Sequence, residues 1–493
     1  MKIALINPRN IDTTTHHPLG LLYIAAYLER EGHLVKVFDQ TVGQTPAEIA
    51  SEIIGWGPEL SGLTATTPQF ALALRIAAEL KKVLPAVPVV VGGPHPSVCP
   101  EDSLASPEVD FVVIGEGERT LSEICAALGS PEKLAGVKGI GYKAGGKPVF
   151  TGTAPLIEDL DSLPFPARHL LAQRWYFAPP KIRGVWTKSL ITVMASRGCP
   201  YRCIWCSSHT LFGRKVRNRS PENVLGEIAE ARRDLGVDSV YFFDDTFTVN
   251  TVWTERFCEL LAARGWKDFK WACQARVNTV TPDLLAKMKK AGCVQLDFGV
   301  ESGSQRILDI LVKDTKIDMI KAAFRHTRAA GINTFASIIV GAPGETREDV
   351  LKTSELLAEI RPDYTEIFYA TPYPGTRLYE IAKESGLIRA DISYDAWYVG
   401  KQIDKPMVCF NGSEEELVAA RTLLQNQVLA RNLFTIFKDP GAIPGGIAIL
   451  FSGAAGLLPG LKRFVKTGNF ENILVEVLKS YRQNLKDKAQ AGK

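Results

Sequence analysis

Two long series of alternating strand and helix segments constrain the fold of this 493-residue chain more than any other feature. In the first series, apolar runs at 3–7, 34–38, 60–65, 87–92 and 111–114 are separated by helical segments. Continuous apolar runs between helices are typical of parallel sheets that are covered on both faces. We therefore predict an α/β protein whose N-terminal part is a doubly wound, Rossmann-like parallel sheet.

The second series begins with an apolar run at 189–196. It continues with strand segments that are each followed by a helical segment, at 239–243, 270–274, 295–299, 333–340 and 364–369. Six such units predict a partial (β/α)6 TIM-like barrel. In barrels of this kind, the reactive residues gather at the carboxyl ends of the strands.

The two series and the segments between them predict four regions. Residues 1–150 form the N-terminal domain, and 151–188 form a linker whose stretch 163–176 is rich in proline and aromatic residues. Residues 189–390 form the barrel. Residues 391–493, where the barrel pattern stops, form a C-terminal helical cap.

Composition narrows the function classes. The formal net charge is +4, and no basic cluster is interleaved with aromatic residues, so we predict no nucleic-acid partner. The nine cysteines are an odd number, and most are scattered. The N-terminal apolar run is too short for a secretory signal, so we expect a cytoplasmic protein in a reducing compartment.

One uncharged stretch, 441–461, has the length of a bilayer-spanning helix, which needs about 20 apolar residues. Several prolines and glycines interrupt it, so we predict short buried helical turns that pack on the protein body. Peripheral contact with a membrane through this stretch is the alternative.

Three cysteines, Cys199, Cys203 and Cys206, follow one another with C-x₃-C-x₂-C spacing. A [4Fe–4S] cluster normally takes four thiolates, so three local ligands leave one iron open to bind and reduce another molecule. We predict that these thiols hold such a cluster. A zinc site completed by His209 is the alternative.

This motif, with Trp205 before the third cysteine, resembles that of the radical S-adenosylmethionine (SAM) superfamily. The resemblance implies that the open iron binds SAM and that an electron from the cluster releases a 5′-deoxyadenosyl radical. The guanidinium fork of Arg276 suits the SAM carboxylate. The resemblance predicts SAM contacts at the barrel strand ends from Trp205, Asp244, Asp245, Gln274, Arg276, Glu301, Ser302 and Ile339.

The N-terminal third resembles the cobalamin-binding domain that precedes many radical SAM barrels. The resemblance rests on the phrase Pro18-Leu19-Gly20-Leu21-Leu22-Tyr23 and on glycine-rich loops after the fourth and fifth strands, where the backbone can approach a bulky ligand. A nucleotide- or partner-binding module without cobalamin is the alternative, although no G-x-G-x-x-G follows the first strand. The predicted cobalamin contacts are Asn7, Arg9, His17, Thr66, Thr67, Gln69, Gly92, Gly93, His95, Glu116 and Gly117.

His17 is a candidate lower ligand of cobalt. The segment from Thr15 to Gly20 keeps the H-x-x-G of a known cobalt-binding motif, but Thr15 replaces the aspartate that orients the histidine. In the alternative, cobalt has no protein imidazole and the loop 66–70 approaches its lower face.

Together, the two resemblances imply a cobalamin-dependent radical SAM C-methyltransferase that works anaerobically. Its cofactors would be a [4Fe–4S] cluster, SAM and methylcobalamin. The radical would remove hydrogen from an unactivated carbon, and methylcobalamin would deliver the methyl group. The implied partners are SAM, an electron donor such as flavodoxin or ferredoxin, and a substrate that is either a protein side chain or a natural-product or lipid precursor.

Two other functions remain open at this point. An oxidative, ring-forming cyclase of the anaerobic magnesium-protoporphyrin monomethyl ester type shares both predicted domains. A non-catalytic corrinoid-binding protein with structural zinc would explain the cysteines differently. A methylthiotransferase is disfavoured, because the N-terminal third lacks the cysteines for a second cluster.

Overall fold

The computed structural model describes residues 1–9, 17–40, 44–171, 189–388, 394–397, 406–437 and 454–467, together with positions 182, 185, 187, 473, 476, 477 and 480. Two sheets dominate these residues. Each arises from one of the two series of strand and helix segments in the sequence.

The N-terminal sheet has seven strands, which lie in the order β2-β1-β3-β4-β5-β6-β7. The first five pair in parallel, and this strand order is that of a doubly wound sheet, as predicted. The last two strands form an unpredicted antiparallel hairpin, whose two-residue turn, Gly145-Gly146, has positive φ values of 58° and 78°. The strands are β1 (Lys2–Asn7), β2 (Leu34–Asp39), β3 (Leu60–Thr64), β4 (Val89–Gly92), β5 (Phe111–Val113), β6 (Ile140–Ala144) and β7 (Lys147–Phe150).

Helices cover both faces of this sheet, because alternate side chains of its strands are apolar on either side. In β1, Ile3 and Leu5 pack into one hydrophobic cluster while Ala4 and Ile6 pack into the other, and all four are fully buried. Helices α1 and α6 cover the first face, and α2 and α3 cover the second. The helices are α1 (Leu19–Arg30), α2 (Pro46–Trp56), α3 (Phe70–Val83), α4 (Pro94–Val98), α5 (Pro100–Ala105), α6 (Gly117–Ala127) and α7 (Pro131–Gly136).

The second sheet is an open barrel of six parallel strands in the order β15-β14-β13-β12-β11-β8, which confirms the predicted partial barrel. Two short strands, β9 and β10, pair beside it. The strands are β8 (Leu190–Val193), β9 (Ser196–Arg197), β10 (Arg217–Asn218), β11 (Ser239–Phe242), β12 (Lys270–Ala275), β13 (Cys293–Glu301), β14 (Asn333–Val340) and β15 (Tyr364–Tyr369).

Helices follow the barrel strands as the sequence predicts. Ser220 caps α9, Thr281 caps α11 and Thr346 caps α14, and each side chain accepts a backbone N–H of the first turn. The helices are α8 (Ser208–Phe212), α9 (Pro221–Leu235), α10 (Thr251–Ala263), α11 (Pro282–Lys290), α12 (Gln305–Ile310), α13 (Ile317–Ala329), α14 (Arg347–Ile360) and α15 (Arg377–Glu384).

Beyond the barrel, α16 (Glu414–Phe437) lies along the edge strand β15. Asn432 accepts the Thr365 N–H at 2.9 Å and donates to the Thr365 carbonyl at 2.8 Å, and Arg421 donates to the Ile367 carbonyl at 3.0 Å. The helix therefore satisfies backbone groups that an open sheet edge leaves unpaired.

The last described helix is α17 (Leu457–Thr467). Positions 441–453 of the uncharged stretch, and most of the predicted helix at 470–486, lie outside the described residues. Within the described part of the chain, no helix is both long and apolar enough to cross a bilayer.

Candidate active site

The cysteine motif lies in the loop after β9, at the carboxyl end of the first barrel strand. Backbone hydrogen bonds fix this loop: the Ile204 N–H donates to the Leu311 carbonyl at 3.2 Å, and the Ile204 carbonyl accepts from the Leu378 N–H at 2.8 Å. Gly198 has a φ of +95°, and a Cβ there would lie 2.2 Å from the Lys215 carbonyl oxygen. Only glycine fits at the start of the loop.

All three thiols line one cavity of about 430 Å³ at the strand ends of the barrel. Side chains at or just after the carboxyl ends of four other strands reach the same cavity, because the carboxyl ends of parallel strands meet at one edge. The predicted SAM-contact residues that line it with the thiols are Trp205, Asp245, Gln274, Arg276, Glu301 and Ile339.

Arg276 lies beside the cluster loop. Its Nη1 is 3.5 Å from the Cys203 Sγ, its guanidinium lies 3.5 Å from the centre of the Tyr201 ring, and Nη2 donates to the Lys313 carbonyl. The side chain is almost fully buried. A guanidinium held in this way offers its remaining donors to an anionic group in the cavity.

A buried ion pair, which the sequence analysis did not predict, also lines this cavity. Lys313 Nζ lies 2.7 Å from Glu301 Oε1, and both side chains are less than 10% exposed. Glu301 has a positive φ of 65°, at a point where the register between β13 and β14 shifts. A Cβ on Gly299 would lie 2.3 Å from Glu301 Oε1 and 2.6 Å from Lys313 Nζ, so glycine makes room for the pair.

Two predicted contact residues belong instead to the framework around the cavity. Asp244 is 1% exposed, and its carboxylate accepts the Ala195 N–H at 3.1 Å and the Ser196 hydroxyl at 2.6 Å. Burial raises the pKa of Asp244 to about 6. Ser302 is fully buried and faces Thr353 of α14, with the two hydroxyl oxygens 3.3 Å apart.

The donor set suits an iron–sulfur cluster, because three thiols line one cavity and such clusters are held by cysteine thiolates. Among the described residues, no group of three His, Cys, Asp or Glu side chains is placed to hold a single metal ion. Burial raises the pKa of the Cys206 thiol to about 11 and also raises that of Cys199. These thiols therefore need the positive charge of bound iron to ionise at neutral pH.

A second cavity, of about 330 Å³, lies at the carboxyl ends of β3, β4 and β5. Its wall is mostly apolar, and it also includes Met194, Arg197 and Phe212 from the barrel side. Much of the remaining wall is formed by glycines, whose exposed backbone allows close approach by a bulky ligand such as cobalamin. The glycines that line this cavity are Gly20, Gly62, Gly92, Gly93, Gly115 and Gly117.

Four of the predicted cobalamin residues, Gly92, Gly93, Glu116 and Gly117, line this second cavity. Its lining also includes Gly20, Tyr23 and Gly62, which were not among the predicted cobalamin contacts. The motif phrase that contains Gly20 and Tyr23 was the signal that could have identified two of them.

The other predicted cobalamin residues lie elsewhere around the domain. Asn7 donates to Asp39 at 3.0 Å, the Arg9 N–H donates to Gln40 at 3.0 Å, and Gln69 donates to the Pro8 carbonyl at 2.7 Å while its own side-chain oxygen accepts from Thr66. His17 is 5% exposed. Their contacts with cobalamin stay predictions.

His95 is fully buried between aromatic rings and lines neither of these two cavities. Its ring centre lies 4.2 Å from that of Phe70 and 4.5 Å from that of Tyr394, and Nδ1 is 3.3 Å from the Thr67 hydroxyl. Burial lowers the pKa of His95 to about 4, so the imidazole is neutral.

Buried charges join the two cavities. Glu116, after β5, pairs with Arg197 at 2.9 Å and with Arg217 at 3.0 Å, and Glu118 pairs with Arg197 at 2.5 Å. All four side chains are at most 5% exposed. Because Arg197 precedes Cys199 by two residues, the loop that lines the second cavity is bonded to the base of the cluster loop.

Two family models match the chain in the corresponding regions. Residues 12–125 match the B12 binding domain, and residues 193–357 match the radical SAM superfamily. The first match covers the glycine-rich cavity, and the second covers the thiol-lined cavity.

Curated relatives and solved structures agree with these matches. An uncharacterized methyltransferase from Pyrococcus horikoshii is 37% identical over 396 residues, which are 79% of this chain and 84% of that protein. An anaerobic magnesium-protoporphyrin IX monomethyl ester cyclase from Cereibacter sphaeroides is 31% identical over 74% of this chain and 60% of its own length. The radical SAM methyltransferase TsrM from Kitasatospora setae, solved with cobalamin and a [4Fe–4S] cluster, superposes with a TM-score of 0.68 at 18% identity and covers 87% of this chain and 88% of its own.

Proposed function

The chain belongs to the cobalamin-dependent radical SAM methyltransferase family, and we propose that it methylates an unactivated carbon of a substrate held in the barrel cavity. The observation that carries this proposal is the position of Arg197. The residue lines the glycine-rich cavity and stands two residues before Cys199, and two residues of chain span at most about 7 Å. The two cavities are therefore close together, so that one substrate in the barrel cavity would be within reach of both cofactors.

When bound, the cluster and SAM supply a hydrogen-abstracting 5′-deoxyadenosyl radical, and the corrinoid supplies the methyl group. Cys199, Cys203 and Cys206 would hold the cluster. Arg276 would bind the SAM carboxylate, Asp245 the amino group, and Ile339 would line the adenine. The glycine-rich cavity would hold part of the corrinoid.

The protein's own groups orient the reactants and exclude water from the cavity. The Glu301–Lys313 pair neutralises two charges inside the cavity wall, so neither competes for the SAM zwitterion. The net reaction consumes two molecules of SAM and two electrons and yields methylated product, methionine, 5′-deoxyadenosine and S-adenosylhomocysteine. A low-potential donor such as flavodoxin or ferredoxin supplies the electrons in a reducing, oxygen-free cytoplasm.

Anaerobic reconstitution and isotope labelling test this function. A strain that carries the gene and its deletion mutant are grown with methyl-deuterated methionine, and their metabolites and proteins are compared by mass spectrometry. We expect a product that gains a deuterated methyl group only when the gene is present. The reconstituted enzyme should form that product, 5′-deoxyadenosine and S-adenosylhomocysteine in equal amounts.

The ring-forming cyclase is the second candidate, because the cyclase from Cereibacter sphaeroides is 31% identical. Its product would lose hydrogen or gain oxygen, with no deuterated methyl group. Product without S-adenosylhomocysteine would contradict methylation and favour the cyclase. A colourless, zinc-loaded protein that cleaves no SAM would contradict both.

A further inference from the structure

The last described helix, α17, carries apolar side chains that are exposed, contrary to the burial that the sequence predicted for this part of the chain. Leu458 is 72% exposed and Val465 is 81% exposed. Leu457 and Leu461 are 42% and 46% exposed. Single exposed apolar residues are normal on a protein surface, but a group of them marks a surface that contacts another molecule or a membrane.

These four side chains form one continuous stripe along the helix. An α-helix turns about 100° and rises about 1.5 Å per residue. Positions 457, 458, 461 and 465 therefore fall within an arc of about 100° and extend over about 12 Å of the helix axis. In most surface helices an apolar stripe of this kind packs against the protein core. In α17 it faces the solvent instead.

The helix contacts the rest of the protein through a different side. Gly460, in its first turn, is buried, and it lies about 110° around the helix from the middle of the stripe. Gly456, immediately before the helix, is so close to the neighbouring chain that a Cβ would lie 2.1 Å from the Glu476 carbonyl oxygen. The two glycines let this side of the helix approach the protein, and the apolar stripe remains on the outside.

The charges around the stripe all have the same sign. Residues 440–470 include no acidic residue, and the charged residues among them are Lys462, Arg463 and Lys466, which all belong to α17. Lys462 is exposed, and its position lies about 40° around the helix from that of Leu458, at the edge of the stripe. An exposed apolar stripe with basic residues beside it is typical of helices that lie in the headgroup region of anionic membranes.

An anionic bilayer fits this surface better than a second copy of the chain does. Two copies that met through the stripe would bring the basic residues of both helices together, and like charges in an interface oppose binding. A bilayer surface supplies apolar depth for the stripe and negative charge for the basic residues. The helix has 11 residues, whereas a bilayer-spanning helix needs about 20, so α17 would lie in the plane of the surface.

We propose that α17 binds the surface of an anionic lipid bilayer, with its apolar stripe inserted among the headgroups and Lys462 facing their negative charge. This surface lies outside both cavities, so lipid binding there does not depend on methyl transfer. Binding is reversible, because one short amphipathic helix buries little apolar area. The protein therefore divides between the membrane surface and solution according to the lipid charge and the salt concentration.

Vesicle sedimentation tests this binding on the full chain loaded with cluster and cobalamin. Partition coefficients are measured anaerobically for vesicles of phosphatidylcholine alone and for vesicles of equal parts phosphatidylcholine and phosphatidylglycerol. Each basic residue near an anionic surface strengthens binding about fivefold, so we expect binding to the anionic vesicles to be at least about tenfold stronger. Salt at about 1 M should remove most of that difference, because it shortens the Debye length to about 3 Å.

Variants assign the binding to the stripe. Leu458→Gln combined with Val465→Gln replaces the two most exposed apolar side chains and should weaken binding to the anionic vesicles at least about tenfold. Lys462→Gln keeps the stripe and should weaken the same binding about fivefold while it leaves binding to phosphatidylcholine unchanged. Val252→Gln, which replaces a 78% exposed side chain on α10, is the matched control and should leave both partition coefficients unchanged.

Equal binding to the two kinds of vesicle, or no binding to either, would overturn the proposal, as would unchanged binding in the double glutamine variant. A wild type that dimerises in equilibrium sedimentation without binding vesicles, beside a double variant that stays monomeric, would assign the stripe to self-association instead. Retained charge-transfer absorption of the cluster shows that a variant is folded. If the double variant is not folded, Lys462→Gln decides, and unchanged binding in that variant would then overturn the proposal.

Discussion

Arg197 donates a 2.9 Å hydrogen bond to Glu116 across the junction of the two sheets, and both side chains are buried. One partner lies at the base of the cluster loop and the other in a wall of the glycine-rich cavity. Glu116 also accepts from Arg217 at 3.0 Å and from the Ile157 N–H at 2.7 Å, so one carboxylate joins the N-terminal domain, the linker and the barrel. Glu116 therefore helps to fix the position of the two cavities relative to each other.

Replacing Glu116 should therefore loosen the junction. Glu116→Gln leaves Arg197 and Arg217 with less negative charge around them, and breaking a buried pair costs about 3–5 kcal/mol. We expect the free energy of unfolding to fall by about that amount, as measured from the first cooperative urea transition. Glu158→Gln removes an exposed carboxyl that pairs with Lys215, and it should cost less than about 1 kcal/mol. Equal losses in the two variants would contradict this role of Glu116.

The conformation of the cluster loop should depend on Gly198, because no other residue fits at that position. Gly198→Ala combines a positive φ with a Cβ 2.2 Å from the Lys215 carbonyl oxygen, so the loop must move. Gly145→Ala has a positive φ of 58° but no atom within 4 Å of the new Cβ. We expect Gly198→Ala to lose most of its iron after anaerobic reconstitution and Gly145→Ala to keep it. Similar iron content, measured per chain, would show that the close approach to Lys215 is unimportant.

Cobalamin binding should be blocked by filling the glycine-rich cavity. Gly20 lies in the first turn of α1 and lines the cavity, and a Cβ there meets no atom within 4 Å. Gly20→Leu should lower cobalamin affinity at least about tenfold, because the new side chain occupies ligand space. Gly55→Leu, on an exposed part of α2 with similar open space, is the control.

The readout for Gly20→Leu is the cobalamin absorbance that remains after gel filtration, with cluster absorbance as the check on folding. Full cobalamin retention by Gly20→Leu would place the corrinoid outside this cavity. Loss of the cluster as well would mean that the substitution acts on the fold instead.

The sequence predicted the residues at the strand ends of the thiol-lined cavity better than those deeper in the barrel, for a physical reason. Arg276 directly follows β12 and Glu301 ends β13, and strand ends can be located from apolar runs. Lys313 lies in a loop without periodicity, and only the folded chain brings it to Glu301. Asp297 and Tyr241 also line this cavity, but they lie within strands, where the inward face is known only once the sheet curvature is known.

Neighbouring positions also separate in ways that a motif does not show. Asp244 and Asp245 are adjacent, yet Asp244 anchors the β8–β9 connection while Asp245 lines the cavity and accepts from Ser208. In the N-terminal domain, His95 lies in a predicted ligand loop but packs between Phe70 and Tyr394, because the segment that carries Tyr394 returns from beyond the barrel. Long-range packing of this kind has no local signal.

The loop that follows β14 should give the protein a pH-dependent stability. Burial, with repulsion from Asp349, raises the pKa of Glu345 to about 7, although the Gly341 N–H donates to its carboxylate at 2.5 Å. In the unfolded chain the pKa is near the ordinary value of about 4.3. The folded state therefore binds more protons between these values. The contribution of Glu345 to the free energy of unfolding is therefore complete below about pH 4 and is lost as the pH rises through about 7.

Glu345→Gln cannot ionise and should remove this dependence. Between about pH 5 and pH 8, we expect the wild type to lose up to about 3 kcal/mol relative to the variant, and less to the extent that water reaches the partly exposed side chain. Urea midpoints at both pH values measure the change. Glu348→Gln, which removes a 77% exposed carboxyl nearby in α14, should follow the wild type. A wild type that gains stability relative to Glu345→Gln as the pH rises would show that the carboxylate is stabilised in the fold, contrary to its burial.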